Sequence, residues 1–130
     1  MKLFQILLFC VVSFFSLNLN AQSWSIFRGN QQLTGTTTAP VPDKPKLLTS
    51  FQTVDVIKAS SVVDGQTIFC GSTDGTMYAI GFDGKLKWKF ASGNSIEAPA
   101  LVMNGSVLFG QLDGLFYKLD EKTGKEIWKY

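Results

Sequence analysis

From residue 57 onward, the chain breaks into short β-type runs, Ser60 to Val63, Thr67 to Cys70, Thr76 to Ile80 and Leu86 to Phe90, in the last of which apolar and polar positions alternate with period two. Alternation of that period describes strands with one face buried, whereas an amphipathic helix repeats its apolar positions every three to four residues. The runs are separated by "DGQ", "STDG" and "FDGK", in which glycine supplies the positive φ that tight hairpin turns require. Four strands joined by such turns form an antiparallel meander.

The same pattern is then written again. Ile57, Ala59, Val63, Gly71, Asp74, Gly75 and Tyr78 recur as Ile96, Ala98, Val102, Gly110, Asp113, Gly114 and Tyr117, without a gap, at a spacing of 39. One inserted residue, Thr123, shifts the spacing to 40, after which Gly84, Lys85, Trp88 and Lys89 meet Gly124, Lys125, Trp128 and Lys129. The turns of the second unit are "NG", "LDG" and "EKTGK". A third, weaker copy of the last strand precedes both units: "KLLTSF" matches "KLKWKF", with Thr49 in the tryptophan position. A repeated four-stranded unit of this length points to a β-propeller blade rather than a sandwich. The predicted fold is all-β: an outer strand at 46–51, a blade at 57–90 and a second blade at 96–130, preceded by a lead-in at 22–45.

A four-stranded blade is apolar on both faces and needs a neighbour against each. In the last strand Leu86, Trp88 and Phe90 share one side, while Lys85, Lys87 and Lys89 take the other, where charge on an outer edge discourages pairing with another chain. Trp88 and Trp128 are therefore expected to lay their rings against the next blade, each contributing about 2–3 kcal/mol by burial. Asp74-Gly75 and Asp113-Gly114 recur in the same turn. Recurrence in each unit assigns them to turn capping rather than catalysis.

The first residues change the picture of where the protein works. "MKLFQILLFCVVSFFSLNLNAQS" holds one basic residue, Lys2, followed by an apolar run from Leu3 to Leu17 and then a small residue, Ala21. This is the pattern of a secretory signal peptide, residues 1–21, too short to span a bilayer, which takes about 20 apolar residues. No transmembrane segment is expected once it is removed. Cys10 lies inside the apolar run behind Phe9 and lacks the small residues that precede a lipidation site. Cys70 is then the only remaining cysteine, so no intrachain disulfide forms, and its "TIFCG" context reads as a buried small hydrophobe. The chain carries 12 Lys and Arg against 10 Asp and Glu and no histidine. Such a balance gives no reason to expect nucleic acid as a partner, and the commonest general base and metal ligand is missing.

"KLDEKTGKEIW" resembles the tryptophan-docking motif of the quinoprotein family, alanine-x-Asp-x-x-Thr-Gly-Lys-x-x-Trp: Asp120, Thr123, Gly124, Lys125 and Trp128 match, and Lys118 replaces the small first residue. The earlier copy keeps Ala79, Gly84, Lys85 and Trp88, with Asp83 in a loop shortened by one. Upstream, "SWSIFRGNQQLTG" is similar to the lead-in found ahead of the first blade in many exported quinoprotein-like repeat proteins. The resemblance implies a ring of about seven or eight blades, so that the 130 residues form the front of a longer protein, with the 46–51 strand placed to complete the last blade. A short protein that assembles several copies into a ring is the alternative.

Two functions follow from the resemblance. One is a propeller without cofactor, a binding or scaffold platform in the cell envelope like the outer-membrane assembly lipoprotein or solute-binding domains, with protein or small-molecule partners at its loops. The other is the front of a dehydrogenase oxidising alcohols or sugars with pyrroloquinoline quinone and calcium. Catalytic residues are not found in these two blades, and neither metal nor cofactor is expected in them. Glu97, at the start of an innermost strand, is placed to face the axis, where a lone glutamate reads as a solvated channel residue rather than a cation ligand. Arg28 could clamp an anion, but in a lead-in segment it is expected, with Phe27, to pin that segment to the first blade.

Overall fold

The computed structural model describes residues 23–130, so the proposed leader at 1–21 lies outside the described residues. Eight strands form two four-stranded antiparallel sheets, each in chain order. The first holds β1 (Val62–Asp64), β2 (Thr67–Gly71), β3 (Thr76–Gly81) and β4 (Leu86–Ala91). The second holds β5 (Leu101–Met103), β6 (Ser106–Gly110), β7 (Phe116–Asp120) and β8 (Glu126–Lys129). The innermost strands are shorter than their apolar runs: Ser60 and Ser61 precede β1 without joining its ladder.

Register decides which side chains share a face. Val62, Phe69, Ala79 and Trp88 stand opposite one another across the first sheet, and all four are buried. With Met77 they pack against Val102, Val107, Phe109, Tyr117 and Leu119 of the second sheet to make the main core. Phe90 closes it at one end, 5.5 Å from Tyr117 with the rings at 62°. A bulge occurs at the same place in both units, with Lys87 the extra residue between the Ala79–Trp88 and Ile80–Leu86 pairs and Ile127 its counterpart. Bulges sharpen the local twist, here beside each tryptophan.

The far face of the first sheet carries Cys70, Tyr78 and Ile80, covered by Phe51. Phe51 meets Tyr78 at 5.7 Å and 61°, nearly the geometry of Phe90 on Tyr117. Thr49 likewise sits against Gly84, as Trp88 sits against Gly124. The 46–51 segment thus occupies the docking position of an outer strand ahead of the first blade. It joins no sheet among the described residues. At the opposite end the outer face of the second sheet is open: Trp128 is 40% exposed, beside Phe116.

Candidate binding surface around the blade junction

Each junction between units is built on a tight turn. In the second unit the Asp120 carboxylate accepts from the Thr123 main-chain N–H at 2.8 Å and from its hydroxyl at 2.7 Å. These two bonds, hydroxyl first, hold the Asp120 carboxyl below its usual value. The turn leaves Gly124 at φ +69° with its Cα bare; a Cβ there would lie 2.5 Å from Cδ2 of Trp88. Trp88 fills that space at 8% exposure, and its Nε1–H donates to the Glu121 carbonyl at 2.8 Å. Lys125 closes the turn by accepting from the Asp120 N–H at 2.8 Å. In the shorter first turn the Asp83 carboxylate accepts from the Lys85 N–H at 3.1 Å, Gly84 has φ +77°, and Ala79 pairs with Trp88 across β3 and β4.

Asp74 and Asp113 lie in the β2–β3 and β6–β7 turns. Asp74 accepts from the Thr76 N–H at 2.7 Å and from the Tyr78 hydroxyl at 2.8 Å, and Asp113 accepts from the Leu115 N–H at 3.1 Å. Burial works against the Asp74 charge, but the bonds from Tyr78, Thr76 and Ser72 outweigh it and keep the carboxyl below its ordinary value. Gly75 and Gly114 follow with φ of +80° and +91°. Cys70 is buried, and burial, with Asp74 nearby, pushes its thiol up to about 11, which keeps it protonated and unreactive.

Glu97 lies in the loop before β5 rather than in the strand. Lys58, its repeat-equivalent in the first unit, reaches it: Nζ stands 2.8 Å from Oε1, and the Ser95 hydroxyl donates to the same oxygen at 3.1 Å. The Lys58 bond leads the causes that hold the Glu97 carboxyl below its usual value. Equivalent positions of adjacent units therefore carry opposite charge and pair with each other.

The lead-in is attached differently from the expectation placed on Arg28 and Phe27, both of which are exposed. It is held through the main chain of Trp24, which exchanges two hydrogen bonds with Val63 of β1 at 2.8 and 3.0 Å. The next carbonyl, of Ser25, accepts from the Val102 N–H of β5 at 2.8 Å. One short strap thus bridges the innermost strands of both units. The Trp24 ring covers Gly29, where a Cβ would come within 2.8 Å of it, and Ser23 donates to the Asp64 carboxylate at 2.7 Å. Tryptophan in the lead-in motif was the available signal; main-chain pairing has no side-chain signature. Between the strap and β5 opens a cleft of about 440 Å³, lined by Asn30, Gln31, Gln32 and Leu101 to Met103 among others.

Glu97 is engaged by Lys58 and Ser95, Trp88 is enclosed between blades, and no group of three or more His, Cys, Asp or Glu is gathered for a metal among the described residues. No helix among them is long and apolar enough to cross a membrane.

Four-stranded meanders stacked with the indole of one on the glycine turn of the next define blades of a β-propeller. The chain belongs to the family described as "Outer membrane protein assembly factor BamB", whose pattern it matches over residues 21–130. Over 67 residues it is 34% identical to the outer membrane protein assembly factor BamB of Burkholderia pseudomallei, covering 52% of this chain and 18% of that protein. The crystal structure of BamB from Moraxella catarrhalis superposes with a TM-score of 0.55 and 28% identity, over 58% of this chain and 24% of that one. The quinohemoprotein alcohol dehydrogenase of Comamonas testosteroni shares the fold, with a TM-score of 0.72 at 17% identity over 88% of this chain and 20% of that one. The chain thus spans about a fifth of the length of these proteins.

Proposed function

We propose that the protein is an exported, non-catalytic propeller of the cell envelope that binds a protein partner, in the manner of an outer membrane protein assembly factor. The observation that carries this reading is the division of labour in the two blades. The residues able to do chemistry, Glu97 and the docking indole, are tied into the fold, while the cleft between the strap and β5 is open and lined by amide and apolar side chains. Surfaces of that mixture suit an extended polypeptide, whose main chain meets the amides and whose side chains meet Leu101 and Met103. The motif residues Ala79, Gly84, Lys85, Trp88, Asp120, Thr123, Gly124, Lys125 and Trp128 serve blade docking, and Asp74, Gly75, Asp113 and Gly114 serve the turns. The 46–51 segment is the outer strand that completes the last blade of the ring.

The test is genetic and biochemical. Removing the gene is expected to lower the amount of folded outer-membrane β-barrel protein, and the full-length chain restores it, whereas Met103→Arg, which places a charge in the cleft, restores it only in part. Unchanged barrel levels, together with alcohol or sugar oxidation by the purified full-length protein given pyrroloquinoline quinone and calcium, would overturn the reading.

A further inference from the structure

The β5–β6 hairpin turns on Asn104 and Gly105, the two residues between the Met103–Ser106 pair. Both have positive φ, +51° and +69°, the mirror-image turn that Asn-Gly favours in two-residue hairpins. Both are exposed. Neither the Gly105 N–H nor the Asn104 amide has a hydrogen-bond partner among the described residues, and a Cβ placed on Gly105 would meet nothing within 4 Å. The other described asparagines are held. Asn30 accepts from the Thr34 N–H at 3.1 Å and donates to its hydroxyl at 2.6 Å, and Asn94 accepts from the Ser95 N–H at 2.7 Å. Each is also followed by a residue that carries a side chain, Gln31 or Ser95. Stacking of a further unit does not cover the tip. Its counterpart in the first unit, Gly65-Gln66 at the spacing of 39, already lies beside a stacked unit, yet both residues are exposed and a Cβ on Gly65 would meet nothing within 4 Å.

We propose that Asn104 is a site of spontaneous covalent modification, at which the hairpin tip cyclises and reopens as aspartate or isoaspartate. The Gly105 nitrogen gives its proton to solvent base and bonds to the side-chain carbonyl carbon of Asn104. The bond from that carbon to Nδ2 breaks, the nitrogen takes up a proton, and ammonia leaves. Water then opens the cyclic imide: attack at the side-chain carbonyl yields aspartate, and attack at the main-chain carbonyl yields isoaspartate, in which the chain runs through the Asn104 Cβ. Glycine at 105 leaves the attacking nitrogen unshielded and lets the turn leave its resting conformation for the one that closes the ring. The product reaches the blade junction through two hydrogen bonds. Isoaspartate adds a methylene to the main chain just before Gly105, whose carbonyl accepts from the Glu121 N–H at 3.0 Å, and the Glu121 carbonyl in turn accepts from the Trp88 indole at 2.8 Å. An aged tip therefore slackens the hold on Trp88.

The experiment holds the full-length protein at mildly alkaline pH and follows the peptide containing Asn104 by mass spectrometry, with fragmentation that separates isoaspartate from aspartate. Loss of the asparagine is expected to run about tenfold or more faster at Asn104 than at Asn30 or Asn94, whose following residues shield the attacking nitrogen. It should quicken as pH rises and yield isoaspartate together with aspartate. Exchange of the Trp88 indole N–H, which reads local opening of the junction, is expected to be about threefold or more faster in aged than in fresh protein. Asn104→Gly places at the tip the residue type of Gly65, and its Trp88 exchange is expected to stay unchanged on ageing. Loss at Asn104 no faster than at Asn30 and Asn94, or isoaspartate at the tip with Trp88 exchange as in fresh protein, would each overturn the proposal. Both are read on the natural sequence, so neither depends on how the variant folds.

Discussion

The ring of Trp88 rests on the bare Cα of Gly124, one unit away, and its Nε1–H is bonded to the Glu121 carbonyl at 2.8 Å. Contact and hydrogen bond depend on the same turn: Asp120 and Thr123 shape it, Gly124 permits its positive φ and clears space for the ring, and the carbonyl beside it takes the indole proton.

Either half of that relationship can be removed. Trp88→Ala is expected to cost about 3–5 kcal/mol, as large-to-small changes of buried aromatics do. Gly124→Ala strains a residue at φ +69° and sets a methyl against the ring, so it should cost more than about 1 kcal/mol. Because both changes break one contact, their combination should cost clearly less than the separate costs together, as measured by denaturant unfolding of the full-length protein.

The strap gives a contrast between neighbouring residues. Trp24→Ala loses the cover over Gly29 and is expected to cost about 2–3 kcal/mol. Arg28→Ala removes an exposed side chain and should change stability by less than about 0.5 kcal/mol. Melting temperatures of the two variants, compared with wild type, separate anchoring by the Trp24 ring over Gly29 from anchoring by the guanidinium.

Lys58 and Glu97 set a test in charge. Lys58→Met is expected to let the Glu97 carboxyl return upward toward its ordinary value, followed by carboxyl carbon resonances in a pH titration. Glu97 is depressed in the folded protein, so the stabilisation from this pair is present above the unfolded value and is lost as pH falls through the folded one. The drop in melting temperature caused by Lys58→Met should therefore be visible at neutral pH and vanish in acid.

Glu121 behaves in the opposite sense. Burial, followed by the neighbouring Asp64 carboxyl, pushes its carboxyl above the usual value; Asp120 also raises it, and Lys122 acts against them. A raised carboxyl favours the folded state while protonated, a contribution that is whole below the unfolded value of about 4.3 and lost as pH rises through the folded value. Glu121→Gln leaves the carbonyl that holds Trp88 and removes the penalised charge. Its melting temperature should exceed that of wild type at pH 7, with the gain shrinking as the solution is acidified below about pH 4.

Much of this architecture could be read from residues in phase. Glycines repeating at spacings of 39 and 40 mark the turns of both blades, the repeated tryptophan marks the ring that docks at Trp88, and the match of "KLLTSF" to "KLKWKF" anticipates the position of Phe51 over Tyr78. Other features left no such trace. Trp24 holds β1 through its peptide groups, which every residue possesses. Asp64 and Glu121 are far apart in the chain and meet only after the units stack. The bulge at Lys87 adds a residue that sets Leu86 opposite Ile80, on the far face from Trp88 and Phe90, although simple alternation puts the three on one side. Glu97 was legible as a carboxylate near the inner strands, but its partner Lys58 becomes evident only when equivalent positions of two units face one another.

Hydrogen exchange of the Trp88 indole N–H, resolved by nitrogen-labelled tryptophan in the full-length protein, tests the stacking of blades most directly. Enclosed at the junction and bonded to the Glu121 carbonyl, that proton should exchange slowly, and Gly124→Ala should speed it markedly. Exchange in the wild type as fast as that of free tryptophan would contradict the account.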